Sequence, residues 1–148
     1  MNSPFEINVE NGIVSFPQLR SFLAPRLPLE EFLATDFGSR AKAERSSGGT
    51  LLYSLMQDLP DGRTLGISLL FVDRLLSEIR IDFRYERDRS WSNWSQEREL
   101  NLVNQYQSEI TRQLGRSGRF QWGIADAGYD DKAACAVLFI SYPKVGEA

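Results

Sequence analysis

The stretch WSNWSQERELNLVNQYQSEITRQLG, Trp91 to Gly115, constrains this chain most, because it is the only long segment with a helical period and it has strand-like runs on both sides. Leu100, Val103, Tyr106, Ile110 and Leu114 recur at spacings of three, three, four and four, which gathers them into one apolar stripe. Gln105, Glu109, Arg112 and Gln113 fall away from that stripe. Ser92, Asn93 and Ser95 can each accept a free backbone N–H at the helix start, and Asn93 with Gln96 forms a capping-box variant. Glu97 and Glu99 complement the positive end of the helix dipole, and Gly115 can take the left-handed conformation that ends a helix. A stripe of this width needs an apolar surface to cover. The expected arrangement is therefore a helix lying across one face of an antiparallel sheet.

The rest of the chain supplies that sheet. Phe5 to Val9 alternates, Asn11-Gly12 follows, and IVSF resumes, which predicts an N-terminal hairpin stopped by Pro17. Leu19, Phe22 and Leu23, then Leu29, Phe32 and Leu33, have the spacing of short helical turns, with Pro28 as a first helical residue and Pro25 preventing one continuous helix. Gly38 to Gly49 is polar, glycine-rich at its end, and reads as a loop. Three strands follow: Thr50 to Gln57, Arg63 to Val72 after a Pro60-Asp61-Gly62 turn, and Leu75 to Glu86 after Asp73-Arg74. In the last, Ile79, Ile81, Phe83 and Tyr85 alternate with Glu78, Arg80, Asp82 and Arg84, predicting one face in the core and one in water. Beyond the helix, Phe120 to Asp126 reads as a strand, AGYDDK as its turn, and Ala133 to Tyr142 as a strand apolar on both faces; KVGEA reads as a frayed tail. Strands and helices are segregated, so the expected fold class is α+β: a twisted antiparallel sheet of N-terminal hairpin, three-strand meander and C-terminal hairpin, with one long helix on a face. Residues 1–148 form one domain.

Composition removes several function classes. The chain has no histidine, which excludes Ser-His-Asp and Cys-His nucleophilic sites and histidine-based metal sites. One cysteine, Cys135, cannot form an intrachain disulfide or a thiolate zinc cage, and its apolar surroundings mark it as a small buried side chain. The net charge of −3 is spread along the chain and leaves no basic patch for nucleic acid. No apolar run approaches the roughly 20 residues that span a bilayer, and the N-terminus is not a secretory signal, so a cytoplasmic protein is expected.

Two groups of residues remain as candidates. Asp126, Asp130 and Asp131, with Tyr129, read as a polar turn, a protein-binding surface, or a small-ligand or enzymatic site; they lack the spacing of a calcium-binding EF-hand loop. Trp91 and Trp94 either join Trp122 in a cluster under the helix or, if on the surface, mark an interface, where tryptophan dominates binding energy. No catalytic, cofactor-binding or metal-ligating set is expected.

The layout NGIVSFPQLRSFL, then LLYSL and GISLLFVDRLLSEIRI, then WSNWSQEREL, then FQWGIADAGYDDKAACAVLFISY resembles that of small bacterial proteins similar in size and style to cytoplasmic immunity proteins of toxin systems, contact-dependent and type VI secretion systems among them. That resemblance implies a non-enzymatic protein-binding module that neutralises a cognate toxin by occlusion, with no active site to carry over and with a toxin or secreted effector as partner. An adaptor, chaperone or structural component of a secretion or phage-related system is the alternative non-enzymatic reading.

Overall fold

A computed structural model describes residues 3–143; the predicted frayed tail, residues 144–148, lies outside them. Among the described residues, ten strands form two antiparallel sheets. Strands β1 (Glu6–Ile7), β2 (Val14–Phe16) and β3 (Ser21–Leu23) make a small sheet in that order. The large sheet contains β4 (Lys42–Ser47), β5 (Thr50–Asp58), β6 (Arg63–Val72), β7 (Leu75–Tyr85), β8 (Gly118–Phe120), β9 (Gly123–Asp130) and β10 (Cys135–Ser141). Its order is β4-β5-β6-β7-β10-β9-β8. Helices α1 (Leu29–Leu33), α2 (Asp36–Arg40) and α3 (Gln96–Leu114) complete the chain. The α+β class and the long helix on a sheet face are as the sequence predicts.

The meander β5-β6-β7 follows from its turns and its period. Asp61 accepts the Arg63 N–H and pairs with the Arg63 guanidinium across the first turn, and Asp73-Arg74 make the second with positive φ at both residues, the conformation a tight hairpin requires. Leu65, Ile67, Leu69 and Phe71 of β6 and Leu76, Ile79 and Ile81 of β7 point to one face and are buried. A second layer covers that face. The small sheet contributes Phe5 and Phe16, α1 and α2 contribute Phe32 and Phe37, and α3 contributes Val103, Tyr106, Ile110 and Leu114. Ring contacts cross between the layers: Phe5 to Phe83 at 5.8 Å, Phe32 to Phe71 at 5.4 Å, Tyr106 to Phe83 at 4.8 Å.

The helix starts at Ser95, whose Oγ accepts the Arg98 N–H at 3.1 Å, and ends at Gly115 with φ 84°. Ser92 and Asn93 lie before it in 3-10 turns. Its buried stripe begins at Glu99; Leu100 is exposed. Gln113, predicted to face water, accepts the Ile7 N–H at 2.7 Å and donates to the Phe5 carbonyl at 3.0 Å, so one side-chain amide pairs with the free edge of β1.

Four predictions are corrected. The N-terminal hairpin sits in its own sheet and gains β3 where helical spacing was read, because Phe22 turns outward while Leu23 turns inward. Gly38–Gly49 holds the end of α2 and the edge strand β4, whose residues are all exposed and which pairs with β5 through its backbone and one side-chain hydrogen bond, from the Ser54 hydroxyl to Glu44. Phe120–Asp126 is two strands, folded back at Gln121-Trp122 so that Trp122 stacks on Phe120 at 5.0 Å. Arg84, expected in water, is buried, and so is Glu99.

Candidate functional site

Arg84 and Glu99 meet where two strands part. β10 and β7 pair from Ser141↔Glu78 to Leu138↔Ile81 and then separate. In the same register Ala136 would face Phe83, but their backbones take other partners. The Phe83 N–H donates to the Tyr106 hydroxyl at 3.2 Å, and the Ala136 N–H donates to the Glu99 carboxylate at 3.0 Å. The Arg84 guanidinium donates to both Glu99 oxygens, at 3.0 and 3.1 Å, and to the Ala136 carbonyl at 3.4 Å. Both charged side chains are over nine-tenths buried. Burial opposes the Arg84 charge, but the ionisable oxygens of Tyr106 and Glu99 beside it hold its guanidinium pKa above the ordinary value. Burial pushes the Tyr106 hydroxyl up to about 12. A paired, hydrogen-bonded charge of this kind sets register more than it adds stability. Here it fixes the start of α3 against the end of β7.

That anchor presents the segment between them. Glu86–Arg89 and Trp91–Asn93 form consecutive 3-10 turns. The Trp94 indole N–H donates to the Ala134 carbonyl at 2.7 Å, tying the segment to the β9–β10 turn. Arg89 donates to the Thr64 carbonyl at 2.9 Å and to Asp82 at 2.7 Å. Trp91 is 73% exposed, with its ring 6.2 Å from that of Trp94, which is 38% exposed. Trp122 is elsewhere: it is buried, and its indole donates to the Val9 carbonyl at 2.9 Å. Two of the three tryptophans are therefore on the surface at one corner.

The corner adjoins the second face of the large sheet. Residues there are Leu52 and Met56 on β5, Ser68 and Leu70 on β6, Glu78, Arg80 and Asp82 on β7, Val137 and Phe139 on β10, and Asp126, Gly128 and Asp130 on β9. Most are half-buried, shielded only by their neighbours in the sheet. Among the described residues only the 3-10 segment touches this face, through Arg89 at Asp82, and no other helix or strand packs across it. β6 and β10 carry apolar residues on both sides, but only one side is covered.

The predicted acidic turn is redistributed. Asp126, Tyr129 and Asp130 are on β9, and only Asp131 is in the turn. Asp126 and Asp130 share the bare face, while Tyr129 points to the helix side, where burial and the nearby Asp131 and Glu99 carboxylates raise its hydroxyl pKa. Asp130 accepts the Lys132 and Ala133 N–H groups at 3.0 and 3.2 Å and lies 3.5 Å from Arg80. Asp126 accepts the Ala127 N–H at 2.8 Å and makes no ion pair among the described residues. The structure thus brings Asp130, Asp131 and Trp94 together around the β9–β10 turn, with Trp91 beside them and Asp126 further along the same face. Cys135, half-buried on β10, has its thiol pKa raised by burial. Sequence reasoning missed the Arg84–Glu99 pair; its signal was a charged residue in phase with the helix stripe.

Among the described residues, no group of three or more cysteine, aspartate or glutamate side chains is placed to hold a metal ion, and no helix is long and apolar enough to cross a membrane. No family model matches the chain, and no curated protein matches it. Among solved structures, the fold is similar to a chain of the complex described as Rhs1-CT in complex with cognate immunity protein RhsI1, with a TM-score of 0.60 and 15% identity, over 97% of this chain and 90% of that chain.

Proposed function

We propose that this chain is a cytoplasmic immunity protein, a non-enzymatic module that binds a cognate toxin and blocks it by occlusion. The observation that carries the reading is the bare, partly apolar face of the large sheet, continuous with a corner where Trp91 and Trp94 stand in solvent. A face of this kind has a use, because a large contiguous exposed apolar patch rimmed by polar residues marks an interaction site. The likeness in fold to a chain from an immunity-protein complex supports the same reading. Occlusion needs no reactive group in the inhibitor; it needs a shaped surface, tryptophan anchors and a charge opposite to that of the partner's cleft. The acidic residues Asp126, Asp130 and Asp131 beside the tryptophans suit a basic cleft.

Co-expression with the product of the adjacent gene tests this. The expected result is that the product alone arrests growth, that this chain restores growth, and that the two purify as one complex. Continued arrest with no complex overturns the proposal. A complex with a product that is harmless alone makes the chain an adaptor instead.

A further inference from the structure

Glycine in the middle of a strand costs roughly 0.5–1 kcal/mol relative to alanine, so each one in the sheet needs a reason. Gly66 has one: a Cβ there would lie 2.8 Å from the Asp82 carboxylate and 3.2 Å from the Met56 sulfur. Gly123 has one: a Cβ would lie 2.0 Å from the Ser141 carbonyl oxygen. Gly128 has none within the chain. Its backbone is not in the left-handed region, and a Cβ added there would meet nothing within 4 Å. It sits within β9, opposite Val137, on the bare face. A strand glycine often marks a place where something else comes close.

The surroundings define what that is. Gly128 lines a depression of about 250 Å³ with Val137 and Phe139 as its apolar wall and Glu78, Arg80 and Asp130 at its polar margin. Arg80 is already matched by Glu78 at 2.7 Å and by Asp130 at 3.5 Å. Asp82, further along β7, is matched by Arg89. Asp126, two residues from Gly128, makes no ion pair among the described residues, unlike the other carboxylates of β7 and β9 on this face, Glu78, Asp82 and Asp130. The notch therefore offers an apolar wall, and Asp126, opposite Phe139 just beyond its margin, adds one unmatched negative charge. Arginine and lysine have that form: they lay a methylene stem along apolar surface and present a charged head.

We infer that the Gly128 notch is the docking point for an arginine or lysine side chain of a basic protein partner, with the stem over Gly128, Val137 and Phe139 and the head at Asp126. The inference rests on the immunity reading for the partner's identity, and on the sheet geometry alone for the site. It also selects the sheet face, and not only the tryptophan corner, as part of the interface.

The test is a calorimetric titration of the adjacent gene's product with wild type, Gly128→Leu and Asp126→Asn. Leucine fills the notch without strain, so Gly128→Leu keeps its melting temperature and loses at least 100-fold in affinity, and Asp126→Asn loses about tenfold. Wild-type affinity in Gly128→Leu overturns the inference and leaves the immunity reading standing. If wild type fails to bind that product, the immunity reading falls, and the site is decided by an NMR titration with N-acetyl-arginine amide. Saturable amide shifts at Gly128 and Val137, absent with N-acetyl-norleucine amide and in Asp126→Asn, support the notch. Absence of such shifts in wild type overturns it.

Discussion

Arg84 and Glu99 stand in for a rung of backbone pairing, and a substitution at either leaves more than one group stranded. Glu99→Leu removes the acceptor of the Ala136 N–H and leaves a guanidinium buried without its counter-charge. Breaking one side of a buried pair costs about 3–5 kcal/mol, whereas replacing both members by apolar residues is often near neutral. Urea denaturation should therefore show Glu99→Leu destabilised by that amount and Arg84→Met/Glu99→Leu restored by more than half of it. A double variant no better than the single one would contradict the geometry. Tyr106 gives a pH signature at the same place. Its hydroxyl keeps its proton in the fold up to about 12, whereas the unfolded chain releases it near 10. Between those values the unfolded state binds fewer protons, so stability is intact below pH 10 and falls as pH rises toward 12, by about 1.4 kcal/mol per pH unit for one group. In Tyr106→Phe the slope over that window should be shallower by this one-proton amount, read from unfolding free energies at pH 9.5 to 11.5.

Gly12 plays the corresponding role at the level of elements, because it lets the N-terminal hairpin close over the end of the large sheet. Its φ is 75°, and a Cβ there would lie 2.5 Å from the Trp122 ring, while its carbonyl accepts the Tyr142 hydroxyl at 2.6 Å. Gly12→Ala combines a left-handed backbone penalty of about 1–2 kcal/mol with an overpacking cost of about 1–3 kcal/mol. Gly128→Ala, in open space and ordinary backbone, should instead gain about 0.5 kcal/mol. Opposite signs for two glycine-to-alanine changes, measured in one denaturant series, check both environments. The contrast also shows which elements the sequence makes legible. The meander and α3 are written in periods that a single strand or helix must obey to bury one side. β4 is not, because an edge strand with every residue exposed has no apolar period, and it is held through backbone groups and one polar side-chain contact. The fold-back between β8 and β9 is hidden for another reason: Phe120, Trp122 and Ile124 alternate as one strand would, and distant partners, the Val9 carbonyl, Gly12 and Tyr142, hold Trp122 out of line. Of the candidate site, the tryptophans and the carboxylates are visible as residue types. That Tyr129 faces the helix while Asp126 and Asp130 face solvent depends on a turn that comes four residues later than AGYDDK implies, so their separation is not readable without the register.

At the scale of the whole molecule, the covered and bare faces of one sheet divide the labour. The covered face holds the core, and the small sheet and three helices are all recruited to it, so the other face, apart from the Asp82 end where Arg89 docks, is left uncovered. An interface of ordinary size covers about 800 Å² on each partner, a patch roughly 30 Å across. Strands lie about 4.8 Å apart, so a partner seated on β9 and β10 extends over β7 and reaches the turn that holds Trp94. Trp91 then lies inside the footprint although it makes little contact with its own chain. Trp91→Ala should leave unfolding free energy unchanged to within about 0.5 kcal/mol, as befits a side chain in solvent. The same change should weaken the complex by about 2 kcal/mol or more, roughly 30-fold in Kd, since an exposed tryptophan beside acidic residues is the kind of anchor on which binding energy concentrates. Loss of binding with unaltered stability separates an anchor from a packing residue. Unaltered binding in Trp91→Ala, in a complex that still weakens on filling the Gly128 notch, would move the partner toward β5 and β4, where Lys42 and Arg45 give the edge the opposite charge. The salt dependence of association distinguishes these placements independently: a basic partner on the acidic side associates more slowly as salt rises, whereas contact centred on the β4 edge with the same partner would associate faster.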